Sequence, residues 1–137
     1  MKKINKITAI FVLFLTTSLF AGGGILESPV EKSKQNYAQV EANLLAGLNS
    51  GNKGLSNSCA YYLGEIKSDK AVIPLMAKLR SGDECCDRIM AALSLSKIKD
   101  ERGLYLLKQM AKFEDNERVR SMCEKFYLAH VRETLQS

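Results

Sequence analysis

Apolar residues recur at steps of three and four along most of the chain, and this spacing is typical of α-helices that bury one face. The clearest stripe is Val72, Leu75, Met76 and Leu79. Two further stripes have the same spacing and consist of Leu55, Cys59, Leu63 and Ile66, and of Val119, Met122, Cys123, Phe126 and Val131. None of these segments alternates apolar and polar residues as a strand does. The pattern therefore predicts an all-α fold.

Helix-start signals divide the stripes into about six helices. Ser68 or Asp69, and later Asp100, can accept hydrogen bonds from the free N–H groups of a first turn. Pro74 falls about one turn beyond the first of these caps, where a missing N–H costs little. The predicted helices span residues 30–48, 54–67, 70–80, 84–98, 101–113 and 116–132. Residues 135–137 are expected to fray.

The helical pattern repeats along the chain. The segment Leu63-Gly64-Glu65-Ile66 recurs as Leu95-Ser96-Lys97-Ile98, an offset of 32 residues, and Leu75 corresponds to Leu107 at the same offset. A third, partial copy follows near the C terminus. A period near 32 leaves room for two short helices and two turns. We therefore predict stacked antiparallel helix pairs over residues 30–134.

The unit from Cys59 to Leu79 resembles the short HEAT-like repeat of phycobilisome-lyase-type proteins and of many bacterial adaptors. The resemblance rests on the pattern Leu63-Gly64-x-Ile66, a short acidic turn, and Ala71-Val72-x-Pro74-Leu75, and it covers about residues 40–132. It implies a short right-handed α-solenoid in which neighbouring helix pairs share a core and one set of helices lines a gently concave face. The resemblance implies an architecture and does not define a function. Our leading hypothesis is a scaffold that binds another protein on the concave face.

Residues 1–24 have the features of a signal peptide. Lys2, Lys3 and Lys6 precede the apolar run 7–15, and small and hydroxylated residues follow. The apolar run is shorter than the roughly 20 residues that span a bilayer. We therefore expect export to the periplasm or the exterior, with residues 25–29 as a linker. The alternative is an uncleaved leader that tethers the protein to the membrane.

The net charge gives no reason to expect a nucleic-acid partner. The whole chain has a formal charge of +5 at pH 7, but three of the positive charges belong to the leader, which has no acidic residue. Without them the charge is +2. A small domain with this charge has no electrostatic case for binding DNA or RNA, so protein partners are expected instead.

The sequence contains no recognisable catalytic constellation. Its only histidine, His130, has no Ser, Cys or Asp partner at a spacing that implies a proton relay, and is expected near the end of the last helix. A glycine-rich phosphate loop and a carboxylate pair on an apolar helix face are also missing. We therefore predict no enzymatic activity and no cofactor. The alternative, suggested by the family resemblance alone, is a subunit of a bilin-lyase-like enzyme, which would need a tetrapyrrole.

The four cysteines, Cys59, Cys85, Cys86 and Cys123, form no C-x-x-C motif, so no metal site is predicted. Stacking places Cys59 and Cys123 two helix spacings apart, too far to be bridged. Cys86 lies on the intervening helix and could form a disulfide with either, whereas Cys85 is rotated away by about 100°. The alternative is that the cysteines are small buried residues at tight helix contacts.

The 32-residue offset also defines a candidate interaction surface outside the apolar stripes. It pairs Lys70 with Arg102, Ile73 with Tyr105, Ala77 with Gln109, and Arg80 with Lys112. If these helices line the concave face, the face has an apolar centre and two basic edges. Aromatic and arginine residues are enriched in protein interfaces. The pattern favours an acidic peptide or protein partner; the alternative is a solvated helix face with no partner.

A second aromatic patch is formed by Tyr61 and Tyr62 on the preceding helix. At least one of the two rings is expected in the core.

The sequence does not indicate whether the chain forms oligomers.

Overall fold

The computed structural model describes residues 29–136. The predicted signal peptide and all but the last residue of the predicted linker lie outside the described residues. The chain divides into two units, Met1–Lys34 and Gln35–Ser137. The described part of the first unit consists of the opening residues of a helix, and the second unit contains the features discussed below.

The described residues form six α-helices and one short 3₁₀ turn. The helices are α1 (Pro29–Leu48), α2 (Lys53–Glu65), α3 (Val72–Ser81), α4 (Cys85–Ile98), α5 (Glu101–Phe113) and α6 (Glu117–Gln136), and the 3₁₀ turn Asp69–Ala71 precedes α3. The predicted all-α fold of about six helices is confirmed. Two details differ: Pro29 is the first residue of α1 rather than part of a linker, and residues 135 and 136 extend α6 rather than fray.

The helix ends recur with the period of the sequence repeat. Lys67 and Lys99, 32 residues apart, both have left-handed backbone conformations, with φ of 52° and 62°. The residue after each of them caps the next helical segment. Ser68 Oγ accepts a backbone N–H at 3.3 Å, and Asp100 Oδ1 accepts one at 2.9 Å. The same turn chemistry therefore sets the start of two successive repeats.

The helices of the second unit pack in two layers around one core. Helices α2, α4 and α6 lie side by side in one layer, α3 and α5 lie side by side in the other, and each of α3, α4 and α5 also packs on the next helix in the chain. Among the residues with no exposed surface are Leu63, Val72, Leu75, Leu79, Leu95, Leu107, Val119 and Cys123. This arrangement confirms the predicted short α-solenoid of stacked helix pairs.

A close contact between α2 and α4 accounts for the glycine in the first repeat. A Cβ atom added at Gly64 would lie 2.8 Å from the Cα of Ser94, so a larger residue would push the two helices apart. Beside this contact, Ser94 Oγ donates a hydrogen bond to the carbonyl oxygen of Ala60 at 2.7 Å. The glycine of the repeat motif thus serves helix packing.

The structure corrects the predicted orientation of the cysteines. Cys59 and Cys123 are buried, but Cys86 is exposed and Cys85 is half-buried against the core. The 32-residue register explains the exposure of Cys86. Its equivalents in the neighbouring repeats are Gly54 and Arg118, and both are also exposed. All four cysteines are free thiols. A disulfide from Cys86 to Cys59 or Cys123 requires the Cys86 side chain to face the core. Because Cys86 is exposed, this predicted orientation is wrong.

The two buried thiols match the alternative of small residues at tight helix contacts. Burial raises the pKa of the Cys123 thiol to about 11, so this thiol is protonated at neutral pH. A protonated, buried thiol is a poor nucleophile and a poor metal ligand.

Candidate interaction surface

The predicted interaction residues lie on the outer surface of the layer formed by α3 and α5. We call this surface the α3–α5 face; it comprises Lys70, Ile73, Ala77, Arg80, Arg102, Tyr105, Gln109 and Lys112. All of these residues are exposed except Gln109, which is half-buried. Because α3 and α5 are neighbours, equivalent positions in the two repeats lie on adjacent helices.

One end of the α3–α5 face is already neutralised by ion pairs. Lys70 Nζ lies 2.8 Å from Glu41 Oε2, and Arg102 contacts Asp100 through Nε and Nη2 at 3.0 and 3.1 Å. The hydrogen bond from Lys70 lowers the pKa of Glu41, and that from Arg102 lowers the pKa of Asp100. This end therefore differs from the basic edge expected from the sequence, because its cations have acidic partners within the chain.

The other end of the face has unpaired cations. Arg80 and Lys112 are exposed and form no ion pair with any residue in the part of the chain that the structure describes. Nearer the opposite end lie Ile73 and Tyr105, which are 56% and 65% exposed. An exposed apolar pair on neighbouring helices, combined with two unpaired cations, suits a ligand that has both apolar and acidic side chains.

Ion pairs also occur in the α2–α4–α6 layer. Ion pairs connect its helices at Lys53 and Glu84, at Glu65 and Lys97, and at Lys99 and Glu133. Exposed pairs of this kind contribute little to stability. They pair these six residues within the chain, whereas Arg80 and Lys112 have no ion-pair partner among the described residues.

The two tyrosines of the second aromatic patch are on the surface of α2. Tyr61 and Tyr62 are 38% and 55% exposed and pack edge to face, with ring centroids 5.5 Å apart. The expectation that one ring lies in the core is therefore wrong. Lys97 Nζ lies 4.1 Å from the centroid of the Tyr61 ring, so a cation already covers part of this patch.

The structure has a groove between α5 and α6 that was not predicted from the sequence. It has a volume of about 410 Å³ and is lined largely by apolar and aromatic residues, including Leu104, Tyr105, Tyr127, Val131 and Leu135. Tyr105 belongs both to this groove and to the α3–α5 face. The 32-residue register offered a signal, since Leu104 and Tyr127 are equivalent to the fully buried Val72 and Leu95.

His130 lines the same groove, and α6 continues for six residues beyond it. Its Nδ1 atom is covered and has no hydrogen-bond partner among the described residues. Covered polar atoms are normally paired with protein or water.

A second depression, of about 370 Å³, lies between the α1–α2 turn and α3 and is lined by polar groups that bond to one another. Lys78 Nζ donates to Ser56 Oγ at 2.7 Å, and Ser56 Oγ donates to the carbonyl oxygen of Leu48 at 2.6 Å. These bonds join α1, α2 and α3.

The described residues contain no group of three or more His, Cys, Asp or Glu side chains that could hold a metal ion. No helix among them is long and apolar enough to cross a membrane.

Comparison with known proteins agrees with this architecture. A family model described as HEAT repeats matches residues 41–125, from the middle of α1 to the middle of α6. No curated protein and no solved structure matches the chain. The family match thus covers both helix layers and all residues of the α3–α5 face.

Proposed function

The chain belongs to the HEAT repeat family, whose match covers more than half of its length, and we propose that it is a non-enzymatic scaffold or adaptor of the cell envelope. HEAT repeats generally mediate protein–protein interaction. In this proposal, a protein partner docks on the α3–α5 face through a segment that contains acidic and apolar residues. In this proposal the α3–α5 face is the concave surface that the repeat resemblance leads us to expect.

One observation carries this proposal. Arg80 and Lys112 occupy equivalent repeat positions and are both unpaired among the described residues, whereas Lys70 and Arg102 on the same face have acidic partners. Two unpaired cations on adjacent helices attract an acidic partner and limit which partners bind. The exposed ring of Tyr105 supplies an aromatic contact of the type that often dominates interface energetics.

The proposed location in the envelope rests on residues 1–24, whose basic start and short apolar run are those of an export signal. The mass of the protein recovered from cells tests this part separately. Loss of about two dozen residues supports cleavage after export, and an intact N terminus supports the tethered alternative. We do not extend the proposal to a bilin-lyase activity, which rests on the repeat resemblance alone.

Reversing the two unpaired charges tests the binding face. We expect Arg80→Glu combined with Lys112→Glu to weaken partner binding at least tenfold at low salt, with a smaller effect at moderate salt because ions screen exposed charges. The melting temperature should hardly change, since exposed substitutions usually alter stability by about 0.5 kcal/mol or less. The measurement is an affinity titration with the partner captured from envelope extract.

Arg118→Glu combined with Lys125→Glu is the matched control. Both residues are exposed on α6, form no ion pair with a described residue, and change the net charge by the same amount. If the control weakens binding equally, only net charge matters and the α3–α5 face is not the site. Full affinity in the Arg80→Glu, Lys112→Glu variant would move the site elsewhere, for example to the surface bearing Tyr61.

A further inference from the structure

We propose that the groove between α5 and α6 is covered by a second copy of this chain, so that two chains associate about a two-fold axis. Tyr105 belongs to both this surface and the α3–α5 face, so its ring contacts a foreign partner only in the monomer. In the dimer, Ile73, Arg80 and Lys112 still face the partner. The proposal goes beyond the scaffold function, because it assigns a self-association site to the last described helix pair.

The first argument is that the groove exposes a surface that the preceding repeat buries. Val72 and Leu95 have no exposed surface, whereas their equivalents Leu104 and Tyr127 are only half-buried. Leu135, at the edge of the groove, is 81% exposed. An exposed apolar surface of this kind marks an interaction site.

The second argument is the charge pattern of α5, which is complementary to itself. Glu101, Leu104, Tyr105 and Lys108 lie on one side of the helix at the spacing of neighbouring turns, and all four line the groove. If two α5 helices pack antiparallel with the two-fold axis midway between positions 104 and 105, Glu101 lies opposite Lys108 of the second copy. Symmetry repeats this contact, so one pattern yields two ion pairs.

The same register also matches the apolar residues, because Leu104 lies opposite Tyr105 of the second copy. Glu101 forms no ion pair with a described residue, and Lys108 has only a distant contact, with its Nζ 6.0 Å from the centroid of the Tyr127 ring. Both charges are thus available. A foreign helix needs no such symmetric arrangement of charges, and the pattern therefore favours a second copy.

The size of the groove sets the expected strength of association. Nine residues line it, fewer than the roughly 20–30 residues that each partner contributes to a stable interface. We therefore expect a reversible dimer whose population increases with protein concentration and that is weakened by salt.

Sedimentation velocity over a range of concentrations at low salt tests the proposal on the purified protein. We expect the wild type to dimerise, and Glu101→Lys and Lys108→Glu each to weaken dimerisation at least tenfold, because each reversal puts like charges opposite each other. An equimolar mixture of the two variants should recover the dimer, since all charges across the two-fold axis are then opposite again. The double variant Glu101→Lys, Lys108→Glu should also recover it.

Circular dichroism of each variant verifies that the helices are retained, as expected for exposed positions. A wild type that stays monomeric at every concentration overturns the proposal, whether the groove is then empty, filled by a foreign helix or covered by residues 1–28. Dimerisation that neither reversal weakens, or that mixing does not recover, overturns the two-fold register. Failure leaves the proposed scaffold function intact, because neither Glu101 nor Lys108 belongs to the α3–α5 face.

Discussion

Leu75→Ala and Leu107→Ala should each lower the free energy of unfolding by about 2–5 kcal/mol. The two leucines occupy equivalent positions on α3 and α5, 32 residues apart, and neither has any exposed surface. Truncation removes buried apolar area and leaves a cavity that the stacked helices can only partly close. Urea denaturation followed by circular dichroism measures the loss. A single unfolding transition is expected for all variants, because repeats in so short a stack do not fold independently of one another.

Ile73→Ala is the control on the same helix. Ile73 is 56% exposed, so its truncation should cost well under the amount lost at Leu75, about 0.5 kcal/mol or less. A loss below about 0.5 kcal/mol at Leu75 or Leu107 would show that the repeat register is wrong. Two separate transitions would show that the helix pairs unfold independently and do not share one core.

Glu114→Ala should lower the free energy of unfolding by roughly 2–3 kcal/mol. Glu114 Oε2 lies 2.5 Å from Arg88 Nη2, and the two side chains are only 10% and 16% exposed. Arg88 Nε also donates to the carbonyl oxygen of Leu79 at 2.8 Å, so this pair joins the end of α3, α4 and the α5–α6 turn. Removing the carboxylate leaves a largely buried guanidinium without its counter-charge.

The same pair predicts a dependence on pH. The hydrogen bond from Arg88 lowers the pKa of Glu114 below its ordinary value of 4.5, so the ionised carboxylate is favoured in the folded protein. Its contribution to stability is therefore present above about pH 4.5 and is lost as the pH falls through the lowered pKa. The difference in unfolding free energy between the wild type and Glu114→Gln should be constant near neutral pH and shrink in acid.

Glu124→Gln is the matched control, because Glu124 is exposed in the middle of α6 and forms no ion pair with a described residue. This control should show almost no difference from the wild type at any pH. A wild-type advantage over Glu114→Gln that persists unchanged into acid would contradict the role assigned to the Arg88–Glu114 pair.

The helices and the core could be predicted from the sequence because both follow from spacing within the chain. Apolar steps of three and four define a buried helix face, and the 32-residue offset relates one face to the next. Leu63 and Leu95, and Leu75 and Leu107, are therefore buried at matching positions. The same offset places Cys86 at a position equivalent to Gly54 and Arg118, so the exposure of Cys86 also follows from the repeat.

The pairing of charges could not be predicted in the same way. Glu41 lies 29 residues before Lys70, and their contact depends on how α1 meets the α2–α3 connection, which no periodic pattern reveals. Arg102 and Asp100 are close in sequence, but the two contacts between them depend on a specific side-chain geometry. The α5–α6 groove could not be predicted because apolar spacing shows which face of a helix turns inward, and it does not show how fully the neighbouring helix covers that face.

Site-specific photo-cross-linking in living cells tests the claim that a protein partner binds the α3–α5 face. A photoreactive residue is introduced at Ala77, which is exposed on α3 within the face, and in a separate variant at Ser58, which is exposed on α2 in the other layer. We predict a discrete cross-linked product from position 77 that disappears when Arg80→Glu and Lys112→Glu are added, and no such product from position 58. Cross-links from position 58 alone, or equally from both positions, would contradict the account.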